Sequence, residues 1–318
     1  VATRRLRTYH DVADPATEDI VAQVGEQAAR LARRFDGVRR VTVVASGKGG
    51  VGKSAITANL AAALALRGRQ VGAADADLNG PSLARMLGAA GQRLRITEDG
   101  VEPANGAAGV RVMSMDLLLP GDDAPLRWRA PAAPEFLWQS TLEGGVLREF
   151  LADTRWGTLD HLLIDAPPGT DKLTRLLQLL PRADAVLLVT TPSEIARFMG
   201  GKAVRVALEM RREGAEDGGS HAEGAEGAEV GLVVNMSGHV CEACGHRAPL
   251  FGDGDASSAA VGSPDVPTWA EIPFDRRLAH ATDRGEPFVL VEPDAPAARV
   301  LRELARRIDG QDAAGTQP

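Results

Sequence analysis

The stretch VTVVASGKGGVGKSAITANLAAALALRG, residues 41–68, decides the fold. Val41 to Val44 is a β-branched run of the kind that forms a buried strand. Ala55 to Leu66 is rich in alanine and leucine, strong helix formers, and Arg67-Gly68 supplies a helix stop. Between them, Gly47 to Ser54 satisfies the spacing G-x-x-x-x-G-K-[ST]. Gly47, Gly49, Gly50 and Gly52 let the backbone turn its N–H groups onto phosphate oxygens, with Lys48 and Val51 completing the loop. The start of the helix adds the positive end of its dipole. Lys53 is placed to reach the β- and γ-phosphates, and the Ser54 hydroxyl to ligate Mg2+. Strand, motif and helix together predict a nucleotide-binding loop.

The loop holds two lysines where phosphate binding needs one. Of 36 lysines and arginines in the chain only four are lysine: Lys48, Lys53, Lys172 and Lys202. Arginine fills nearly every other basic position, so two lysines kept within one loop point to a specific role for each. A compact ammonium and a planar guanidinium are not interchangeable at a crowded phosphate site. Lys53 takes the ordinary role; Lys48 is either a second functional cation or a solvated loop residue.

Strand-like segments at 41–45, 70–75, 110–114, 161–165, 185–190, 230–235 and 267–272 alternate with helical ones, notably 53–67, 134–151, 171–180, 194–213 and 294–308. This alternation predicts an α/β fold, a mainly parallel sheet with helices on both faces. Residues 17–36 read as an amphipathic helix within an N-terminal extension, 1–39. One nucleotide-binding domain then covers 40–309. Residues 213–228, EGAEDGGSHAEGAEGA, are acidic and of low complexity, and predict a flexible insertion. The tail 310–318 is expected to be disordered.

A net charge of −7 argues against a generic nucleic-acid-binding surface. There is no run of about 18 apolar residues to span a membrane, and the opening VATRRLRTYHDVADPATED has no apolar signal core. A soluble cytoplasmic protein, without nucleic-acid or membrane partner, is the expectation.

Two further stretches bring carboxylates to strand ends. In LDHLLIDAPPGTDKL, residues 159–173, a strand ends on Asp165, where a carboxylate beside the phosphate loop can hold Mg2+ through water. Gly169 can swing toward the γ-phosphate. In GAADADLNGPSLARMLG, residues 72–88, Asp75 and Asp77 can orient an attacking water or join the metal's outer shell. Asp77 can equally cap the following helix.

The chain's two cysteines, Cys241 and Cys244, lie three positions apart in NMSGHVCEACGHR, residues 235–247. A thioredoxin-like redox pair opens a helix after a strand, whereas this pair sits in a glycine-flanked loop, so a metal is the better reading. Two thiolates are half of the four-cysteine set that a [4Fe–4S] cluster takes, and a symmetric dimer supplies the other half. Zinc held by Cys241, Cys244 and His239 or His246 is the competing reading.

SGKGGVGKS, DADLNGPS, LLIDAPPGT, VTTPSE, NMSGHVCEACG and EIPFDRRL…GEPFVL occur in this order between about residues 40 and 291. The set resembles the Mrp/ApbC family of iron–sulfur cluster carriers, P-loop NTPases of the deviant Walker A group that also holds MinD, ParA and the nitrogenase iron protein. The cysteine element distinguishes it from MinD and ParA. The resemblance implies a homodimer enclosing two ATPs, with Lys48 reaching the partner's nucleotide, Asn235 contacting adenine and Pro273 lining the same pocket. It further implies a labile [4Fe–4S] cluster bridged between subunits and passed to apo-proteins with ATP hydrolysis. The sequence departs from the family's usual PPGTGD, reading PPGTDK, and from WRGPM, reading WRAPA at Trp128 to Ala132. The other function class is a MinD/ParA-like positioning or partition ATPase. Its membrane helix would have to come from 294–308, whose Val300, Leu301, Leu304 and Ile308 are expected to pack on the sheet instead.

Overall fold

The computed structural model describes residues 17–118, 135–216, 227–240, 244, 246–251 and 266–310. Trp128 to Ala132, most of the acidic stretch, Cys241 and the tail from 311 lie outside them. The elements run α1 (Thr17–Phe35), β1 (Val38–Ala45), α2 (Lys53–Leu66), β2 (Val71–Asp75), α3 (Leu83–Met86), β3 (Arg95–Thr97), β4 (Gly100–Glu102), β5 (Ala104–Asn105), β6 (Arg111–Met113), α4 (Glu135–Asp153), β7 (Leu159–Asp165) and α5 (Thr170–Leu179). They continue with β8 (Ala185–Thr190), α6 (Glu194–Glu216), β9 (Glu229–Val240), β10 (Arg247–Ala248), β11 (Thr268–Phe274), α7 (Arg276–Asp283), α8 (Phe288–Val291) and α9 (Pro296–Ile308).

Among the described residues, nine strands form one sheet. Its parallel part has the order β11-β9-β8-β1-β7-β2-β6, with β5 antiparallel beyond β6 and β10 antiparallel against the end of β9. β3 and β4 make a separate hairpin. The central strands are buried along nearly their whole length, which is why they read as continuous apolar runs rather than alternating ones. β1 sits between β8 and β7, and the chain leaves it toward β2 on one side before returning to β8 on the other. That reversal opens a crevice at the carboxyl ends of the strands, the place where such sheets bind ligands.

Each face of the sheet carries its own apolar core. One holds Leu31, Phe35, Leu151, Trp156, Leu162 and Leu173, beneath α1, α4, α5 and α6. The other holds Leu60, Leu64, Leu83, Phe288, Leu301 and Leu304, beneath α2, α3, α8 and α9. Each fully buried side chain of this size contributes roughly 1.5–3 kcal/mol. α2 is apolar nearly all round because α8 and α9 pack on its outer side while the sheet lies beneath. α9 turns Leu301, Leu304, Ala305 and Ile308 inward, and they are at most 1% exposed. α1 belongs to the first core: Leu31 and Phe35 are buried, Gln27 donates to Glu149 of α4 at 2.8 Å, and Arg30 pairs with Asp153 at 3.4 Å. Among the described residues no helix is long and apolar enough to cross a membrane.

At the opposite end of the sheet from the crevice, Asp309 gathers Arg67 (3.1 Å), Arg69 (2.8 Å) and His161 of β7 (3.2 Å). Burial pushes the Asp309 carboxyl up, but hydrogen bonds from Arg69, His161 and Arg67 outweigh it and hold the group below the usual carboxylate range. His161 is shifted the other way for its kind. Burial, opposed by its bond to Asp309, holds the imidazole below its ordinary value, which favours the neutral form.

Candidate functional site

β1 ends at Ala45 and the loop from Ser46 to Gly52 carries the chain into α2. Gly50 (φ 79°) and Gly52 (φ 84°) lie in the left-handed region that side chains avoid, which is how so short a loop reverses its amide directions. Gly47 is required for another reason: a Cβ there would run into the carbonyl oxygen of Met199 in α6. Space around Gly50 is open. Lys48 is exposed, its carbonyl held by the Ser46 hydroxyl at 2.9 Å, and Gly169 N donates to Ser46 O at 3.2 Å, tying the loop after β7 to the phosphate loop.

The first turn of α2 converges on the carboxylate that ends β7. Lys53 Nζ lies 2.8 Å from Asp165 Oδ1, Ser54 Oγ donates to Asp165 Oδ2 at 2.5 Å, and Thr57 Oγ1 donates to Asp165 Oδ1 at 2.8 Å. Lys53 is 7% exposed and Asp165 fully buried. A hydroxyl and a carboxylate side by side, next to a buried ammonium and an open glycine cradle, are the donor set for Mg2+ and an anionic phosphate. Lys53, Ser54 and Asp165 were legible from spacing. Thr57 was not singled out, although it stands one helical turn after Lys53 on the same face.

Asp75 is the register neighbour of Asp165 across the β2–β7 pair. Its side chain is enclosed: Oδ2 accepts from Ser82 N (2.8 Å), Leu83 N (2.9 Å) and Ser114 Oγ (3.2 Å), and Oδ1 from Asp77 N (3.1 Å). Burial first, and then the Asp165 charge, push the Asp75 carboxyl up to about 7, against the pull of the backbone donors and Lys53. The carboxylate capping α3 is thus Asp75, and not Asp77 as the capping alternative had it. A strand end aims Asp75 at a loop seven residues on, a geometry that local sequence does not display. Asp77 is half-buried and lines a cleft with Asn79, Pro167, Lys172 and Arg175. Lys202 lies over the exposed Phe198 ring on α6, one turn from Met199.

The third component is β9. Asn235 Nδ2 donates to the Val51 carbonyl of the phosphate loop at 2.9 Å, a contact between residues 184 apart in the chain. Pro273, buried in β11, follows Ile272, the register partner of Asn235. β9 runs past the end of β8 to Val240 and pairs there with β10, and Cys244 lies between the two strands in sequence. Cys244 is exposed with a free thiol, and His239 and His246 are exposed as well, while Cys241 lies outside the described residues. Among the described residues no three His, Cys, Asp or Glu side chains converge on a metal position. Phosphate loop and cysteines are far apart in sequence, yet a single strand joins them.

The family model described as ParA, NUBPL iron-transfer P-loop NTPase, matches residues 37–309. Curated relatives named iron-sulfur cluster carrier protein include one from Methanocaldococcus jannaschii, 35% identical over 295 residues, covering 92% of this chain and 91% of the relative. Another, from Pseudomonas fragi, is 38% identical over 270 residues, 84% of each chain. Among solved structures, a nucleotide-binding protein from Archaeoglobus fulgidus in complex with ADP superposes with a TM-score of 0.63 at 31% identity, over 85% of this chain and 94% of that one. The Pyrococcus furiosus cell division ATPase MinD shares the fold, with a TM-score of 0.56 at 23% identity over 86% and 99%. The phosphate loop, the strand-end aspartates and these likenesses over most of the chain together make it a member of the NUBPL/ParA family of iron-transfer P-loop NTPases.

Proposed function

We propose that the chain is a cytoplasmic ATP-dependent carrier of a [4Fe–4S] cluster, acting as a homodimer that hands its cargo to apo-proteins. The observation that carries this reading is the joining of two donor sets by one strand: β9 contacts the phosphate loop through Asn235 and ends at Val240, immediately before Cys241 in the sequence. The relatives that bear the carrier name match along most of the chain.

In this reading Lys53 binds the β- and γ-phosphates, and Ser54 with Asp165 holds Mg2+, Asp165 through water. Bound there, the ion supplies charge neutralisation at the transferring phosphoryl group. Asp75 acts by position: it fixes the 76–83 loop, which presents Asp77 to orient the attacking water. Lys48, exposed at the loop's outer side, serves the partner's nucleotide. Cys241 and Cys244 from each of two subunits supply the four thiolates, since neither subunit has a third cysteine.

Anaerobic reconstitution with iron and sulfide, followed by metal, sulfide and protein analysis and mass by light scattering, tests the reading. The expected result is about four irons and four sulfides per dimer, lost in Cys241→Ser or Cys244→Ser. A stoichiometric zinc monomer without sulfide overturns it. The positioning-ATPase alternative is disfavoured by α9, whose apolar side chains are already spent in the core. Co-sedimentation with anionic liposomes that requires ATP would restore that alternative.

A further inference from the structure

Between Asn235 and His239, β9 parts from its neighbour. β11 pairs Ile272 with Asn235 and next pairs Phe274 with His239, so that one residue, Pro273, spans three: Met236, Ser237 and Gly238. A proline has no N–H to give a ladder, which makes it a natural place for pairing to break. At this break Met236 takes φ 55°, the left-handed region. Outside glycine that conformation costs on the order of 1 kcal/mol, and it persists only where the surroundings hold it. Among the described residues Ala108 is the other non-glycine case, and it sits in a turn before β6 rather than inside a strand.

Both ends of this bulge are clamped. Before it, Val234 pairs with Thr190 and Asn235 with Ile272, and the Asn235 amide grips Val51 O in the phosphate loop. The grip is close: a Cβ on Gly52 would collide with Asn235 Nδ2. After it, His239 pairs with both Phe274 of β11 and Ala248 of β10, and Val240 pairs with Arg247. A strained, ladder-free joint thus separates a strand segment fastened to the phosphate loop from the β9–β10 pair, between whose strands Cys244 lies in sequence.

We propose that the 235–238 bulge is a coupling joint, with Asn235 and Met236 as positioning residues that make the placement of the β9–β10 pair, and with it the exposure of Cys244, depend on the nucleotide. The proposal rests on the cluster-carrier reading for its purpose, though not for its test. Phosphate entering the loop shifts or stiffens the backbone at Val51, and Asn235 follows its acceptor. Met236, already held off its preferred conformation, has alternative states within reach of that input. The β9–β10 pair beyond it is held to β11 at the single Phe274–His239 position, about which it can turn. Differential contact at one end thereby becomes a population shift at the other.

The test uses the full-length chain freed of metal by chelation under anaerobic conditions. The alkylation rate of Cys244 by iodoacetamide is followed by mass spectrometry, with and without saturating Mg-ATP. In the parent protein the two rates should differ by about fivefold or more, the usual lower range of coupling between sites. In Met236→Gly, which removes the side chain that strains the joint, the ratio should fall to within about twofold while Mg-ATP still binds. Asn235→Ala, read at nucleotide concentrations that saturate it, should lose the dependence as well and serves if the glycine variant folds poorly. Equal rates in the parent, or a full ratio in both variants, overturn the proposal. Iron and sulfide analysis reads the other question separately: coupling without cluster removes the cargo and leaves the joint, and cluster without coupling does the reverse.

Discussion

Thr57 illustrates what a single hydroxyl does in a buried ionic site. Its proton goes to Asp165 Oδ1 at 2.8 Å in preference to the Lys53 carbonyl at 3.1 Å, because the carboxylate is charged and closer. With Lys53 on the same oxygen, it turns Oδ2 toward Ser54, the edge that faces Mg2+ in the proposed site. Thr57→Val keeps the shape and removes the donor. Its expected effect is a rise of about tenfold in the Mg2+ concentration needed for tight ATP binding, in line with the loss of other groups that orient a metal ligand. Thr57→Ser should restore the parent value. Titration of ATP binding against Mg2+ checks this, and an unchanged requirement would reduce Thr57 to packing. The chemistry-bearing residues at this scale were readable because loop spacing is local. The Ser114–Asp75 and Thr57–Asp165 contacts were not, since the fold brings these residues together from 39 and 108 positions apart.

At the scale of elements, the phosphate loop is wedged between α2, the loop after β7 and the backbone of α6. Gly47→Ala drives a methyl into Met199 O, main chain that cannot rotate away. Overpacking of this sort costs about 1–3 kcal/mol. Gly49→Ala, whose Cβ would meet only Pro168 Cβ at 3.9 Å, should cost far less. Thermal melts of the two variants, with ATP affinity measured alongside, should rank Gly47→Ala well below Gly49→Ala in both. Equal behaviour would mean that α6 yields easily. The long elements were plain in the sequence: β1, β2, β7 and β8 declare themselves by largely apolar, β-branched or leucine-rich stretches, and α2 by its alanine and leucine content. The β3–β4 hairpin was not, because three-residue strands such as Arg95–Thr97 are too short to show alternation. Nor was the reach of β9 to Val240, since Asn235 to Val240 contains Ser237 and Gly238, poor strand formers that pairing with β10 and β11 overrides.

For the whole molecule, the Asp309 cluster joins α2, β7 and α9 at the end of the sheet away from the nucleotide. His161 there has a lowered value, so the folded protein disfavours its protonated form while the unfolded chain binds a proton at about 6.5. Stability contributed this way is full above that unfolded value and falls as pH drops below it toward the folded one. Asp75 works in the opposite sense: its value of about 7 means that stability falls as pH rises from about 4 toward 7. Comparing His161→Gln with the parent cancels the Asp75 contribution. Urea midpoints at pH 7.5 and 5.5 should show a smaller acid loss in the variant than in the parent. An equal loss would mean that His161 titrates alike in both states.

The four lysines have a consequence outside folding and catalysis. Lys48 and Lys53 frame the phosphate loop, Lys172 lies in the first turn of α5 beside Asp77, and Lys202 lies on α6 one turn past Phe198. All side-chain amines therefore cluster at one pole, while arginines such as Arg67, Arg299, Arg302 and Arg306 clothe the groove between α2 and α9. Apart from the α-amino group, acylating dyes, amine cross-linkers and activated surfaces will take the molecule by its nucleotide end, and a tether meant to leave that end clear must avoid lysine chemistry.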